Sequence, residues 1–507
     1  KMNSLPENTW ELNEVAKNTD ILSEISSEFD IEANPGTTST LQFYDDFDSH
    51  LWKANYLLCQ VNKQQFQLID PSGCIDEVGA SSGARFWWEF SESQVKDKLQ
   101  SLVGLRAVLP IASINLLETD FSLRNDDQKI VVKGRLTQTL VSNKIALYLT
   151  LQALRGYTKY YTRAAQLLRP FIKAEIRHFG LRFLLMNQDI QALEPKQSAL
   201  LSLTEDMRTE QAVRAIAIAM LDQAKLYIGG VIADTDTEFL HQFRVNVRKL
   251  RSLISLLKQA LPASMLDALK PRISSIASKT NKLRDLDVFI LAQDSYRAML
   301  PANFESGLNE LYHLIEKQRK QEKNIVARYL SSAEYRNDAA ACATELSQNS
   351  VFQTPMASKP VLQVVKKLLL KRYHKILTMN AAINSQSVDE KIHEIRIEFK
   401  KLRYLIEFFV DLLPKKRTGK IVSEIKKIQT VLGDYNDYCI QIEFLNGYID
   451  DARIEMSKAL SGLIAILYQK KTEERPKVES ALTDFFTENM TIEFDLVFGA
   501  AEPGDSK

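Results

Sequence analysis

The sequence predicts an α+β protein in which an antiparallel, β-rich domain is followed by an all-helical region. Three observations lead to this prediction. Short apolar or alternating runs, separated by turn residues, fill the chain from about residue 41 to residue 154. From about residue 156 onward, apolar residues recur at a spacing of three and four and glycine becomes sparse, which is typical of helices. Finally, two passages of the helical region are alike, which indicates a duplicated unit.

Composition and charge indicate the class of protein and the compartment in which we expect it. The chain has 507 residues, of which 45% are hydrophobic and 25% charged, as in ordinary globular proteins. Because 65 basic residues face 64 acidic ones, any attraction to a polyanion must come from local clustering. The four cysteines form no C-x-x-C pair, which favours a reducing compartment. With no signal sequence and no run of 18 apolar residues, we expect a soluble, cytoplasmic protein without a membrane partner.

The β-rich part contains a series of predicted strands. Turn residues separate them in "NPGTTST", "DPSG", "ASSG" and "RNDDQ". We expect Phe86, Trp87 and Trp88 to be core or interface aromatics rather than a ligand platform. The predicted strands are "LQFYDDFD", "ANYLLCQV", "QQFQLID", "ARFWWEF", "INLLETDFSLR", "KIVVKGRLTQTL" and "KIALYLTLQAL".

The region that follows has helical periodicity, for example in "RAAQLLRPFIKAEIRHFGLRFLL" and "LSGLIAILYQK". The polar, proline-bearing stretch "SQNSVFQTPMASKP" is the clearest linker within it. We therefore predict a β-rich domain at 1–204 and a helical domain at 205–498, with repeat halves at about 205–347 and 361–498.

The duplication rests on two matches in the same order. "HQFRVNVRKLR" begins at His241, and "HEIRIEFKKLR" begins 152 residues later at His393. "SSIASKTNKLRDLDVFI" then aligns with "SEIKKIQTVLGDYNDYCI" at nearly the same offset. Each half is thus predicted to contain a helix, a basic helix, a proline-marked turn, a third helix and a further helix.

On a helix, the basic residues of each passage form a stripe. At ~100° per residue, four positions of each copy fall within one arc about 80° wide. Lys249 and Lys401 lie outside the arc, but their long side chains can reach towards it. The stripe positions are His241, Arg244, Arg248 and Arg251 in the first copy and His393, Arg396, Lys400 and Arg403 in the second. The apolar residues of the first helix, which are Phe243, Val247, Leu250, Ile254 and Leu257, form a separate face.

Cations stacked along one helix repel one another, and a bound anion would relieve the repulsion. Arginine offers forked donors that match phosphate oxygens, while lysine and protonated histidine add further donors, so phosphate is the favoured ligand. The alternatives are a solvated basic face and a packing or capping role for the histidines. We expect no metal site, because neither His241 nor His393 has a metal-binding residue four positions later. No motif of nucleophilic catalysis is present.

The two basic passages, each followed by "LRDLDV" or "LGDYND", resemble the CHAD family, the conserved histidine α-helical domain. The resemblance covers about residues 205–498 and implies two pseudo-symmetric four-helix bundles whose basic helices bind inorganic polyphosphate in a shared groove or pore. The implied binding residues are the eight stripe positions, Lys249, Lys401 and Arg284. The counterpart of Arg284 in the second half is Gly433, so that half lacks one cation.

The first part resembles the CYTH family, the triphosphate tunnel fold, through "LQFYDDFDSHLWKANYLL" and "GLRAVLPIASINLLETDFSLRNDDQKIVVKGRL". Its catalytic signature is missing. No Glu-x-Glu-x-Lys strand precedes these passages, "WELNEVAKN" has the wrong spacing, and "YLLCQV" stands where Arg-x-Arg is expected. A tunnel enzyme needs inward carboxylates for a divalent metal and inward cations for triphosphate. We therefore expect a degenerate, non-enzymatic CYTH-like domain.

The resemblances together imply a non-enzymatic polyphosphate-binding protein that uses no cofactor and acts as a scaffold or targets polyphosphate granules in the cytoplasm. Two other classes stay open. One is an active CYTH-type triphosphatase, and the other is a nucleic-acid-binding protein, which is disfavoured because Tyr404 is the one aromatic residue beside the stripes. Preferred chain length and homo-oligomer formation also remain open.

Overall fold

The computed structural model describes residues 7–13, 18–70, 73–79, 83–141, 144–176, 180–186, 202–348, 352–384, 387–450 and 452–499. The chain divides into two compact units, Lys1–Lys196 and Gln197–Lys507. Parts of the predicted turns "DPSG" and "ASSG" and of the predicted linker "SQNSVFQTPMASKP" fall outside the described residues.

The first unit is built around one antiparallel sheet. The strand order is β10-β1-β9-β8-β7-β3-β4-β5-β6, and β2 also pairs with β7. The strands are β1 (Glu7–Leu12), β2 (Asp30–Ala33), β3 (Thr37–Asp45), β4 (Leu57–Val61), β5 (Gln65–Asp70), β6 (Gly73–Val78), β7 (Leu109–Arg124), β8 (Ile130–Val141), β9 (Lys144–Ala153) and β10 (Ile172–Ile176). The helices are α1 (Asn18–Ser26), α2 (His50–Lys53), α3 (Gln94–Leu102), α4 (Thr158–Leu167) and α5 (Leu181–Met186).

Two predictions for this unit were wrong. The "ARFWWEF" run is not a strand, because Trp87–Glu89 form a 3-10 turn closed by the Glu89 carboxylate, which accepts the backbone N–H groups of Arg85 and Phe86. Trp88 is 46% exposed and stacks on Phe86. Within the region predicted as all-helical, β10 follows α4 and pairs with β1. Pairing with a distant strand therefore outweighed the local helical pattern.

An apolar cluster lies on each face of the sheet. On one face a cluster that includes Leu123, Leu136 and Leu149 packs against α1 and α4. On the other face, Phe43 of β3 and Tyr148 of β9 belong to one cluster, which α5 completes. Because β7 and β8 separate these two strands in the sheet, the sheet curls around this second cluster.

The second unit is helical. Its helices are α6 (Thr209–Ala233), α7 (Thr237–Leu256), α8 (Ala263–Ser278), α9 (Asn281–Leu291), α10 (Gln293–Met299), α11 (Glu305–Ser331), α12 (Ala333–Ser347), α13 (Val361–Ala381), α14 (Asp389–Phe408), α15 (Lys415–Asn446), α16 (Ile454–Phe485) and α17 (Glu488–Phe498). Among the described residues, α6 is the one helix long and apolar enough to cross a membrane by length and composition. In this unit it packs against α7, α11 and α12.

The helices repeat in the predicted order. Helices α6, α7, α11 and α12 correspond to α13, α14, α16 and α17, and Pro262 and Pro414 precede the third helix of each half as predicted. That helix is continuous as α15 in the second half, whereas the first half divides it into α8 and α9 at Thr280. The predicted α+β class, with an all-helical second part made of two similar halves, is confirmed.

The two halves share a core. The rings of Phe289 and Phe444, one from each half, stack with centroids 3.7 Å apart. Helix α11 of the first half lies directly on α16 of the second, since a Cβ at Gly307 would be 2.2 Å from the backbone oxygen of Glu455. This close approach requires glycine and holds the halves in one fixed arrangement.

Candidate anion-binding site

The basic face of α7 depends on how this helix is anchored. The Asp236 side chain accepts hydrogen bonds from the backbone N–H groups of Glu238 and Phe239, which caps the helix. The stripe residues of α7 and α14 lie beside the apolar face and are half-buried or exposed. The predicted apolar face is confirmed, because its members are buried: Phe243, Val247, Leu250, Ile254 and Leu257.

The two basic helices contact each other, so the stripes of the two copies lie close together. Burial and, after it, nearby charges that include Arg248 of α7 lower the pKa values of Arg396 and Lys400 on α14. Lys249 of α7 also forms an ion pair with Glu407 of α14, with Nζ and Oε2 3.1 Å apart. We call the interacting cations the basic cluster: His241, Arg244, Lys249, Arg248, Arg251, Arg284, Arg396, Lys400 and Arg403.

A pocket of about 130 Å³ opens beside the α7 stripe. Three guanidinium groups of α7 line one side, and polar residues of α8 and α9 line the other. These polar residues are not among the predicted site residues, although Ser274 and Ser278, four positions apart, lie on one face of α8. The lining residues are Arg244, Val247, Arg248, Arg251, Ser274, Ala277, Ser278 and Asn281.

Arg244 links this pocket to the break in the third helix. Its Nη1 donates hydrogen bonds to the backbone oxygen of Ala277 at 3.1 Å and to Thr280 Oγ1 at 2.8 Å. Burial and the neighbouring charge of Arg248 lower the pKa of Arg244 to about 10. One end of this guanidinium is therefore held by the fold, while the group as a whole lies in an unfavourable environment for a cation.

Several buried donors of the basic cluster have no hydrogen-bond partner among the described residues. They are Nε of Arg244, Nη1 of Arg284, Nε of Arg396 and Nε of Arg403. Burial lowers the pKa of Arg284, and burial followed by the charge of Arg284 lowers that of His241. A buried N–H without an acceptor costs roughly 1–3 kcal/mol, and more when the group is charged. The basic cluster therefore contains more buried N–H donors than the oxygen atoms of the described residues accept.

The second copy is partly neutralised by carboxylates. Arg396 lies 3.7 Å from Asp437, and Arg403 lies 3.2 Å from Glu407. Lys400 forms no ion pair with any residue that the structure describes. Burial, followed by the charges of Arg396 and Arg248, lowers its pKa to about 8. The first copy therefore carries more uncompensated positive charge than the second.

Two predicted binding residues have other partners. Lys401 Nζ lies 2.9 Å from the buried carboxylate of Glu398, which also pairs with Arg372 and Lys375 of α13. Lys401 is thus directed towards α13. His393 Nδ1 is hydrogen-bonded to Asn436 Oδ1 of α15, with the two atoms 2.6 Å apart.

In each half of the repeat, an arginine contacts residues of the loop that precedes the basic helix. These arginines lie on α11 in the first half and on α16 in the second. Arg319 of α11 pairs with Asp234 at 2.7 Å and with the buried Asp287 of α9 at 2.7 Å. Arg475 of α16 instead donates to the backbone oxygen atoms of Asn384 and Ser387. These contacts fix the loops that precede α7 and α14 and thereby help to position the basic cluster.

The first unit offers a different set of polar groups. Arg135 pairs with Asp120 at 2.6 Å on neighbouring strands. The described residues include one group close enough to bind a metal ion, which consists of Asp46, Asp48 and His50. Its atoms already bond one another or Arg106, and neither predicted stripe histidine belongs to it.

Residues 215–446 match the family model of the CHAD domain, a span that includes both α7 and α14. This match confirms the resemblance predicted for the helical part. Among solved structures, the chain is similar to the CHAD domain of the plant Ricinus communis, with 23% identity over 57% of this chain and 96% of that chain and a TM-score of 0.48.

The chain is also similar to PptA from Streptomyces chartreusis, with 12% identity over 55% of this chain and 98% of that chain and a TM-score of 0.42. A structure described as a candidate adenylate cyclase from Bacillus halodurans matches at 12% identity over 36% of this chain and 96% of its own, with a TM-score of 0.23. A comparison with curated proteins found no match.

Proposed function

We propose that the helical unit binds inorganic polyphosphate through the basic cluster and performs no chemistry on it. This proposal rests on the set of buried guanidinium donors without a hydrogen-bond partner among the described residues, which belong to Arg244, Arg284, Arg396 and Arg403. They come from both copies of the repeat, and a bound anion would supply the oxygen atoms that they lack.

Electrostatics support an anionic ligand. Burial and like charges lower the pKa of Lys400 to about 8 and that of Arg244 to about 10, so the folded chain holds these cations against their repulsion. A polyanion reverses the sign of this interaction. Phosphate suits the pocket beside α7, because guanidinium forks bind phosphate oxygens in pairs and the Ser274 and Ser278 hydroxyl groups add donors.

A chain of phosphates suits the cluster better than a single one. The pocket belongs to the first copy, while Arg396, Lys400 and Arg403 belong to the second, and the two copies contact each other. A linear polyanion that contacts both stripes makes its second contact at a high effective concentration. We therefore expect affinity to increase with chain length.

The proposal assigns no catalytic step to the first unit. On the face around which the sheet curls, the side chains of Phe43 and Tyr148 fill one part, and the carboxylates of Glu118 and Asp120 are already paired with Arg135, whereas a tunnel enzyme needs carboxylates that hold a divalent metal. Nucleic acid is a weaker candidate ligand, because Tyr404, the aromatic neighbour of the stripes, is only 5% exposed and offers little surface for base stacking. The corresponding role in a cell is a cytoplasmic scaffold on polyphosphate granules.

A competition titration tests this function. Labelled long-chain polyphosphate is titrated with the full-length protein at several salt concentrations, and triphosphate and single-stranded RNA of equal total charge serve as competitors. We expect polyphosphate to bind most tightly and its affinity to fall steeply with salt, because phosphate contacts release counterions. Equal competition by RNA, or binding that salt does not change, would refute the proposal.

A further inference from the structure

The basic cluster contains a carboxylate that the proposed function does not use. Glu407 follows Arg403 by four residues on α14. At ~100° per residue it falls inside the arc of the basic stripe. The corresponding residue of the first copy, 152 positions earlier, is Ser255. The stripe of the second copy therefore ends in a negative charge that the first copy lacks.

Glu407 joins the two copies. Its Oε2 lies 3.1 Å from Lys249 Nζ of α7, and its Oε1 lies 3.2 Å from Arg403 Nε of α14. Both cations also lie over the ring of Tyr404, at 5.8 Å for Lys249 and 5.6 Å for Arg403. One carboxylate thus occupies two cations of the basic cluster, one from each stripe.

This carboxylate is held loosely. Although Arg403 Nε is at ion-pair distance from Glu407, its N–H is not aimed for a hydrogen bond. The side chains of Lys249, Glu407 and Arg403 are 29%, 31% and 27% exposed, so water and ions can reach them. Partly exposed pairs of this kind contribute little to stability, and a stronger anion can displace the carboxylate.

We infer that Glu407 is an internal competitor that a polyphosphate chain must displace from Lys249 and Arg403, so that it selects for long, highly charged ligands. This inference rests on the proposed function. A carboxylate within the same cluster acts at a high effective concentration and excludes anions that offer a single contact. A chain that already contacts Arg248 and its neighbours brings its next phosphate at a comparable effective concentration and with more charge.

The test uses two variants of the full-length protein. Glu407→Ser installs the residue of the first copy, and Glu407→Gln keeps the shape of the side chain. For both, we expect the affinity for triphosphate to rise by about tenfold, because two cations become available. For triphosphate, the slope of log affinity against log salt should steepen by about 1.4, or about 0.7 for each additional phosphate contact, whereas the slope for long-chain polyphosphate should stay nearly unchanged, because the long chain already contacts both cations in the wild type.

The matched control is Glu394→Gln, which removes one exposed negative charge from α14 outside the arc. A mere change in net charge predicts the same gain for Glu394→Gln as for Glu407→Gln. The gain from Glu407→Gln should disappear when Lys249 and Arg403 are both replaced by Gln, because the carboxylate then has nothing to occupy.

The outcomes separate this inference from the proposed function. If wild-type protein binds polyphosphate and Glu407→Gln changes neither the affinity nor the salt slope for triphosphate more than Glu394→Gln does, the inference alone fails. Weaker binding with a lower melting temperature would show that Glu407 only bridges α7 and α14, which also overturns it. If neither the wild type nor the Glu407 variants bind polyphosphate, both the proposed function and the inference fall.

Discussion

Arg248 is the residue whose replacement should separate binding from stability most clearly. It lines the pocket beside α7, and its charge is among the causes that lower the pKa values of Arg244, Arg396 and Lys400. It forms no ion pair with any described residue. In the free protein this guanidinium therefore contributes repulsion from both stripes and little attraction.

The structure sets the size of both effects of Arg248→Ala. Hydrogen bonds between a guanidinium and phosphate contribute roughly 1.5–3 kcal/mol, of which solvent exposure removes part. A loss of about 1–2 kcal/mol corresponds to polyphosphate affinity about 5- to 30-fold lower. The free energy of unfolding should stay unchanged or rise by up to about 1 kcal/mol, because like charges at this spacing repel by that order. Weaker binding with equal or higher stability is the pattern expected of a residue kept for function.

The assay combines a polyphosphate titration with thermal denaturation of the same samples. Lys420→Ala is the matched control, because it removes one positive charge from an exposed position of α15 outside the basic cluster. We expect the control to bind nearly as well as wild type. Unchanged affinity in Arg248→Ala, or a clear drop in its melting temperature, would refute the reasoning.

Three further predictions concern the pH dependence of binding, the stability of the helical unit and the absence of triphosphatase activity. The pKa of Lys400 is lowered to about 8, and a bound anion favours the protonated amine. The affinity for polyphosphate should therefore be greatest below pH 8 and fall up to about tenfold by pH 9. Binding titrations across this range should show an affinity that does not change with pH for Lys400→Arg. Arg319→Ala leaves the buried Asp287 and its neighbour Asp234 without their cation, so chemical denaturation should show a loss of about 3–5 kcal/mol, whereas Arg336→Ala on the exposed surface should change little. Purified protein given triphosphate with magnesium or manganese should release no phosphate above background; turnover abolished by changing acidic residues of the first unit would contradict this.

Helix periodicity explains why much of the second unit could be predicted. The phase of an apolar or basic stripe depends on residues three and four apart, which are neighbours within a single helix. Phe243 and Leu250 are buried as that pattern requires. The missing cation at Gly433 was also visible by aligning the copies. The polar side of the pocket beside α7 escaped notice, because Ser274 and Ser278 are unremarkable on an exposed helix face.

The strand β10 and the 3-10 turn at Trp87–Glu89 show the opposite case. Each depends on a partner that local pattern does not specify, which is β1 for the strand and the backbone N–H groups of Arg85 and Phe86 for the Glu89 carboxylate. Sequence propensity is a weak guide wherever such tertiary contacts decide the backbone conformation.

By itself, the sequence determined that two basic stripes exist, that they share one phase and that the first lies beside an apolar face, because all three properties are local to a helix. Only the tertiary structure decided that α7 and α14 contact each other, that the charge of Arg248 lowers the pKa of Lys400 and that Glu407 forms an ion pair with Lys249. Those relations join residues about 150 positions apart, and they depend on the shared core in which Phe289 meets Phe444. Packing between distant elements leaves no periodic mark in the chain, so it had to be observed in three dimensions.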